Sequence, residues 1–257
     1  MGAAFMFPSN NNREIAFESI LNFRDLGGYQ TADGRKVAWR RLFRSGNLAE
    51  MTENDFNKFH KELGISVIID LRSDFEIERQ GVGKVASPGI VHRNVSFVRE
   101  GGKKETNDRQ LAGITHMGEL YLNMVREPGF GERVVEALEI VAGCNGSPLV
   151  FHCFAGKDRT GILAAAVLGS LNVTDGDIAA DYAMSAAYLK ALRKKVNTDK
   201  SDPNANKLPE YFWETGPELM SFFLAGIRKE YGSMRGYLLT HGADAGLFKK
   251  LENQLLV

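Results

Sequence analysis

Two cysteines in 257 residues, Cys144 and Cys153, are too few for a disulfide framework, and neither has the CxxC spacing of a zinc or dithiol site. Long hydrophobic runs are missing too, because charges or polar clusters interrupt every apolar stretch short of the ~18 residues a membrane span needs. Charge of one sign is not in excess: 32 Lys and Arg stand against 32 Asp and Glu. That balance speaks against a chain that coats nucleic acid, since such domains are usually strongly basic. It leaves room for a local cationic pocket. No repeat and no low-complexity segment is present, which removes solenoid and fibrous architectures. The opening stretch from Met1 to Pro8 is apolar but has neither a basic n-region nor an adequate h-region, and Met6 spoils a myristoylation pattern, so no leader or lipid anchor is expected. A cytoplasmic, reducing setting is the expectation.

What is present is an ordinary globular composition, 44% hydrophobic, 25% charged and 10% aromatic. At ~150 residues per domain the length permits one or two domains. No linker divides two cores, so residues 13–257 read as a single domain behind a flexible lead-in at 1–12. Two short apolar runs, Val67-Ile68-Ile69 and Leu149-Val150-Phe151, predict strands buried on both faces. Lys36 to Phe43 and Gly89 to Val95 are further strand candidates. Apolar spacing and caps predict helices from Thr52 to Leu63, Phe130 to Ala142, Thr160 to Leu171, Thr174 to about Lys195, and near 217–231, 233–241 and 243–255. Strands alternating with helices predict an α/β fold with a mainly parallel central sheet flanked by helices. Residues 197–216 are polar and rich in helix breakers. They suit a mobile flap over a site or a plain surface loop.

Residues 149–161, Leu-Val-Phe-His-Cys-Phe-Ala-Gly-Lys-Asp-Arg-Thr-Gly, read as strand, tight loop, then helix. Ligands of open parallel sheets bind beyond the carboxyl ends of the strands, which here falls on Cys153. The following helix aims its free amides and partial positive charge at the same loop. Between Cys153 and Arg159 the loop can curl so that the backbone N–H groups of residues 154–159 (Phe154, Ala155, Gly156, Lys157, Asp158, Arg159) form a nest for phosphate oxygens. Arg159 adds a planar fork for two of them, and Gly156 permits the backbone angles of a curled loop. Positive surroundings of this kind favour a cysteine thiolate. A bare Cys-x5-Arg is a weak signal. The fuller His-Cys-x-x-Gly-Lys-x-Arg-Thr-Gly at a strand-to-helix junction is a specific one. The bland alternative, an inert core Cys153, leaves the neighbouring Lys157, Asp158 and Arg159 unexplained.

This loop resembles the signature of cysteine-dependent protein phosphatases, and Cys-Phe-Ala-Gly-Lys-Asp-Arg-Thr-Gly in particular is similar to the bacterial PtpB-type family that acts on phosphotyrosine and phosphoinositides. Leu21-Asn22-Phe23-Arg24-Asp25-Leu26-Gly27-Gly28-Tyr29 with Arg41-Leu42-Phe43-Arg44-Ser45, and Val67-Ile68-Ile69-Asp70-Leu71-Arg72-Ser73, are further blocks of that resemblance. Weaker likeness runs through Ala179-Ala180-Asp181-Tyr182 to the end of the chain. The resemblance implies the cysteine-phosphatase fold, with 197–216 as a helical lid, and a two-step hydrolysis through a phosphocysteine on Cys153. Arg159 and the loop amides would steady the transferring charge, Thr160 would donate a hydrogen bond to the sulfur, and His152 would brace the loop. Arg24 would be a supporting residue. No metal or other cofactor is required.

For the acid that protonates the leaving group, many relatives place an Asp after the strand at 90–95. Here that loop is Ser96-Phe97-Val98-Arg99-Glu100-Gly101-Gly102. Asp158 is therefore the first candidate, Glu100 the second and Asp70 the third. Asp70 also has a plainer reading as the buried partner of Arg24, Arg44 or Arg72. Lys157 either meets a second phosphate on an inositol ring or lies solvated at the rim. The expected substrates are phosphotyrosine proteins, with phosphoserine/threonine and phosphoinositides as extensions. Without a working acid the loop would make a pseudophosphatase or phosphopeptide-binding module. Lys103-Lys104 and Arg193-Lys194-Lys195 read as solvated faces or as transient contacts with anionic membrane. Gly81 to Ala86 mimics a dinucleotide fingerprint but follows no strand and is set aside. A reserve disulfide between Cys144 and Cys153 is the lesser reading of Cys144. Oligomeric state is not legible in these patterns.

Overall fold

The apolar runs that predict doubly buried strands lie at the centre of a five-stranded sheet. The computed structural model describes residues 13–98, 113–198 and 209–257. The strands are β1 (Arg24–Asp25), β2 (Leu42–Ser45), β3 (Val67–Asp70), β4 (Val91–Asn94) and β5 (Leu149–His152), in the order β1-β2-β5-β3-β4. All pairings are parallel except β1 with β2, which is antiparallel. Side chains alternate between two apolar layers. Leu42, Ile69, Leu149 and Phe151 enter the larger core, while Phe43, Ile68 and Val150 enter a smaller one with Phe23, Phe59 and Ile65. β4 is the exposed edge and carries Arg93, a charge that discourages a further strand from adding there.

Helices follow in chain order: α1 (Glu53–Phe56), α2 (Asp74–Gln80), α3 (Met117–Arg126), α4 (Phe130–Ala142), α5 (Asp158–Ser170), α6 (Asp175–Ala183), α7 (Leu189–Thr198), α8 (Pro217–Tyr231), α9 (Met234–Thr240) and α10 (Ala245–Leu255). α5 is the central one. Ile162 to Leu168 are all buried, which explains why it is small and apolar nearly all round. Among the described residues no helix is long and apolar enough to cross a membrane.

Several boundaries differ from the sequence expectation. The strand expected at Lys36 to Phe43 is confined to Leu42–Ser45, because Arg40 takes a left-handed backbone (φ 60°) that interrupts an extended run. The Thr52 cap forms as expected, but the helix continues as a π-helical stretch over Asn57–Glu62. The helix expected from Thr174 to Lys195 is interrupted by a 3-10 segment at Met184–Tyr188. α5 begins at Asp158, two residues earlier than expected, so the signature loop runs directly into its first turn. β1 and α3 were not foreseen. The lead-in at 1–12, Glu100, Lys103-Lys104 and residues 199–208 of the expected lid lie outside the described residues. Of that segment, residues 209–214 hold a 3-10 turn, Glu210–Trp213.

Candidate active site

The parallel register lines up Ser45, His152, Asp70 and Asn94 across β2, β5, β3 and β4, one row at the carboxyl edge of the sheet. Cys153 is the next residue along β5 and is buried. The loop that follows is clamped from outside, carbonyl by carbonyl. The amide of Asn47 donates to Phe154 O (3.0 Å). Asn22 Nδ2 donates to Ala155 O (3.1 Å) and Gly156 O (2.9 Å). Arg44 Nη2 donates to Gly156 O (2.8 Å) and Lys157 O (3.4 Å). In a planar trans peptide the next residue's N–H points opposite to the carbonyl. Holding carbonyls 154–157 outward therefore turns the amides of Ala155, Gly156, Lys157 and Asp158 inward, as a phosphate nest requires. Gly156 has φ +67°, and a Cβ there would lie 2.5 Å from Ser45 backbone atoms. Only glycine fits.

Beneath the loop, Arg24 and Arg44 share one carboxylate. Arg24 Nε donates to Asp181 Oδ1 at 2.9 Å, Arg44 Nη1 donates to Asp181 Oδ2, and all three side chains are buried. Burial alone would raise the Asp181 carboxyl, but the two guanidiniums pull it down to about 2. Burial and the Arg24 charge lower Arg44 to about 10, against the opposing pull of Asp181 and Cys153. Two cations against one anion leave a positive surplus under the cradle, a field that favours an anion within it. Arg24 also donates to Asn22 Oδ1, which joins it to the side chain that clamps the loop.

Arg159 projects from the first turn of α5 and is held by Glu76, with Nη1 to Oε2 at 2.5 Å and Nη2 to Oε1 at 2.7 Å, a fork-to-fork pair. Burial would raise the Glu76 carboxyl, but Arg159, with the amide and hydroxyl of Ser73, brings it down to about 2. Burial likewise opposes the Arg159 charge, and Glu76 overrides it. Glu76 was missed in the sequence. Its signal is Ser73-x-x-Glu76, a capping box that starts α2 and aims the carboxylate at Arg159.

Asp70 takes its plainer reading, with Arg72 as the partner. Arg72 Nε reaches Oδ1 at 2.9 Å and Nη2 reaches Oδ2 at 2.6 Å. Burial would raise Asp70, but His152, His92 and Arg72 together hold it well below the carboxylate range. His152 is fully buried, and its Nδ1 donates to Cys153 O at 3.2 Å. Burial lowers its pKa to about 4, so the ring is neutral. Asp70, His92 and His152 place one ligand atom each within 4.8 Å of one another, the spacing of a metal site. The Arg72 guanidinium already sits on the same carboxylate oxygen, so the cluster is a charge-neutralised brace and not a cation site.

Asp158, 28% exposed, lies beside the cradle and accepts a 2.6 Å hydrogen bond from Tyr121. Lys157 is not the solvated rim residue of one reading. It is buried, and its ammonium donates to Phe212 O and Glu214 O (3.1 Å), clasping the 209–214 segment. Thr160 is buried, but its hydroxyl has no partner among the described residues, so the expected bond to the Cys153 sulfur is not made here. Glu100 lies outside the described residues. Arg193, offered as a membrane contact, pairs with Glu210 (2.5 Å). Cys144 precedes β5 while Cys153 follows it. Four strand residues at ~3.3 Å each separate them by more than the ~7 Å a disulfide spans, so the reserve disulfide is excluded.

The profile of the tyrosine phosphatase family matches residues 15–257. Over 180 residues the chain is 34% identical to a Cupriavidus necator protein named as a tyrosine-protein phosphatase, covering 66% of this chain and 62% of that one. It is 27% identical over 280 residues to the triple specificity protein phosphatase PtpB of Mycobacterium tuberculosis, covering 91% of this chain and 96% of the relative. Among solved structures, TpbA of Pseudomonas aeruginosa aligns over 91% of this chain and 99% of its own at 14% identity, with a TM-score of 0.39.

Proposed function

Because the chain belongs to the tyrosine phosphatase family, we propose that it hydrolyses phosphotyrosine through a phosphocysteine on Cys153. The observation that carries this reading is the outward clamping of carbonyls 154–157 by Asn47, Asn22 and Arg44 around a buried cysteine. A loop held this way is preorganised for the charge of a transferring phosphoryl group, so nothing need reorganise as that charge spreads. In the first step the sulfur attacks phosphorus in line, and Arg159, fixed by Glu76, holds two equatorial oxygens. Asp158 gives the leaving phenol its proton. In the second step water attacks phosphorus, and the buried, unpartnered hydroxyl of Thr160 supplies a hydrogen bond to the departing sulfur.

Residues 13–257 are read as one domain, and a free nucleophilic thiol suits a reducing, cytoplasmic setting. The resemblance of the signature loop extends the proposal to phosphoserine, phosphothreonine and phosphoinositides, and the mycobacterial relative is named for more than one specificity. Lys157 lends the phosphoinositide extension no support, since its ammonium is taken by the 212 and 214 carbonyls. The test is hydrolysis of a phosphotyrosine peptide. Cys153→Ser should abolish turnover and retain peptide binding; turnover persisting in that variant would refute the nucleophile assignment. A binding module would instead bind the peptide with no burst of phosphate in the unaltered protein.

A further inference from the structure

Two buried tyrosine hydroxyls stand in series behind Asp158. Tyr121 OH donates to Asp158 Oδ1 at 2.6 Å, and Tyr182 OH lies 2.6 Å from Tyr121 OH. The Tyr121 proton is committed to the carboxylate, so the shared hydrogen is donated by Tyr182 to Tyr121. Burial raises the pKa of both phenols far above their ordinary value, and the Asp158 charge adds to it. Both therefore remain protonated donors at any working pH. The rings meet edge to face, with centroids 5.9 Å apart at 78°. They come from separate elements, α3 and α6. Gly161, the last residue of the signature, makes the room: a Cβ there would lie 3.1 Å from the Tyr182 ring. On the same side, Lys157 Nζ lies 3.3 Å from Asp158 Oδ1. Among the described residues Oδ2 has no partner.

We infer that Tyr121, backed by Tyr182, is a positioning residue that pins Asp158 Oδ1 and so commits the transferable proton to Oδ2. This rests on the reading of Asp158 as the leaving-group acid. With Oδ1 occupied by donors in both protonation states, the acid proton resides on Oδ2. As the Cys153 sulfur forms its bond to phosphorus, the bond from phosphorus to the phenolic oxygen breaks, its electron pair stays on that oxygen, and the Oδ2 proton follows. The tyrosines keep their own protons. The Tyr121 hydrogen bond strengthens as Asp158 becomes a full carboxylate, because donors bind an ionised acceptor more strongly than a neutral one.

The test compares kcat/KM for a phosphotyrosine peptide, whose leaving phenol (pKa about 10) needs the proton, with that for 2,4-dinitrophenyl phosphate, whose leaving group departs without one. Asp158→Asn should lower the peptide value by ~10²–10⁴-fold and the dinitrophenyl value far less. Tyr121→Phe should show the same split at ~10–100-fold, from the loss of one donor to an ionising group. Tyr182→Phe should give a smaller split in the same direction, and vanadate inhibition should stay within about twofold in both tyrosine variants. Equal losses on both substrates in Asp158→Asn would remove the acid reading and this inference together. A split in Asp158→Asn with none in Tyr121→Phe would overturn the positioning role of the tyrosines alone. If Tyr121→Phe does not fold, Tyr182→Phe decides, since an even loss there has the same meaning.

Discussion

Glu76→Gln tests whether Arg159 is held by charge or merely by shape. The variant keeps the volume and the Ser73 contacts of the side chain while removing the anion that receives both arms of Arg159. Its pH dependence has a definite sign. The Glu76 pKa is depressed in the folded state, from 4.5 to about 2, after burial's opposing effect is overcome by Arg159 and Ser73. A carboxylate with a depressed folded pKa stabilises the protein above its unfolded pKa, and that stability drains away as pH falls through the folded value. The side chain is 23% exposed, so only modest discounting for solvent is needed. At ~1.4 kcal/mol per pKa unit the ionised group contributes about 3 kcal/mol at pH 7 and about 1 kcal/mol by pH 3. Urea unfolding of the two proteins between pH 7 and pH 3 should therefore show a difference that shrinks by about 2 kcal/mol as the solution is acidified. The same variant should lose ~10–100-fold in kcat/KM, because a guanidinium free to rotate no longer meets two phosphoryl oxygens at fixed geometry. A stability difference that stays constant across that pH range, or a variant with unaltered kcat/KM, would show that the pair neither carries ionic stability nor orients Arg159.

Three other perturbations probe separate parts of the site. Gly156→Ala forces an L-residue into φ +67° with its Cβ 2.5 Å from the Ser45 backbone. It should cost about 2–5 kcal/mol in thermal or urea unfolding and weaken vanadate binding more than tenfold, from αL strain plus overpacking; wild-type stability and affinity would contradict the clamped-loop geometry. Cys144, buried and with its thiol pushed up to about 11, should resist iodoacetamide in the folded protein at pH 8, and peroxide should produce no disulfide between it and Cys153; peptide mapping that finds either product would be decisive against the strand placement. Lys157→Met should speed proteolytic cleavage around residues 209–214 by releasing the carbonyls of Phe212 and Glu214, while the ratio of phosphoinositide to phosphotyrosine turnover stays constant. A selective loss of phosphoinositide turnover would place the ammonium in a phosphate subsite after all.

Lys157 also marks where sequence reasoning stops. The loop it belongs to was legible because its chemistry is local: a strand, a glycine that must adopt positive φ, and an arginine six residues beyond the cysteine all lie within one short stretch. The central strands were legible for a related reason, since an apolar run bounded by turn residues has few other uses. Partnerships across the chain are a different matter. Nothing near Lys157 says that its ammonium meets carbonyls more than fifty residues later, and nothing near Arg44 says that it shares Asp181 with Arg24. Each of these pairings depends on which helix is laid over which edge of the sheet, information spread over the whole chain. Two residues fall between these limits. Glu76 was readable from its capping box with Ser73, and Tyr121 from the apolar spacing of Met117, Leu120, Tyr121 and Val125 on α3, but both signals describe a helix and say nothing of a target. Only the fold brings Glu76 to Arg159 and Tyr121 to Asp158. Local pattern names the proposed reacting atoms, and topology selects the side chains that lie against them.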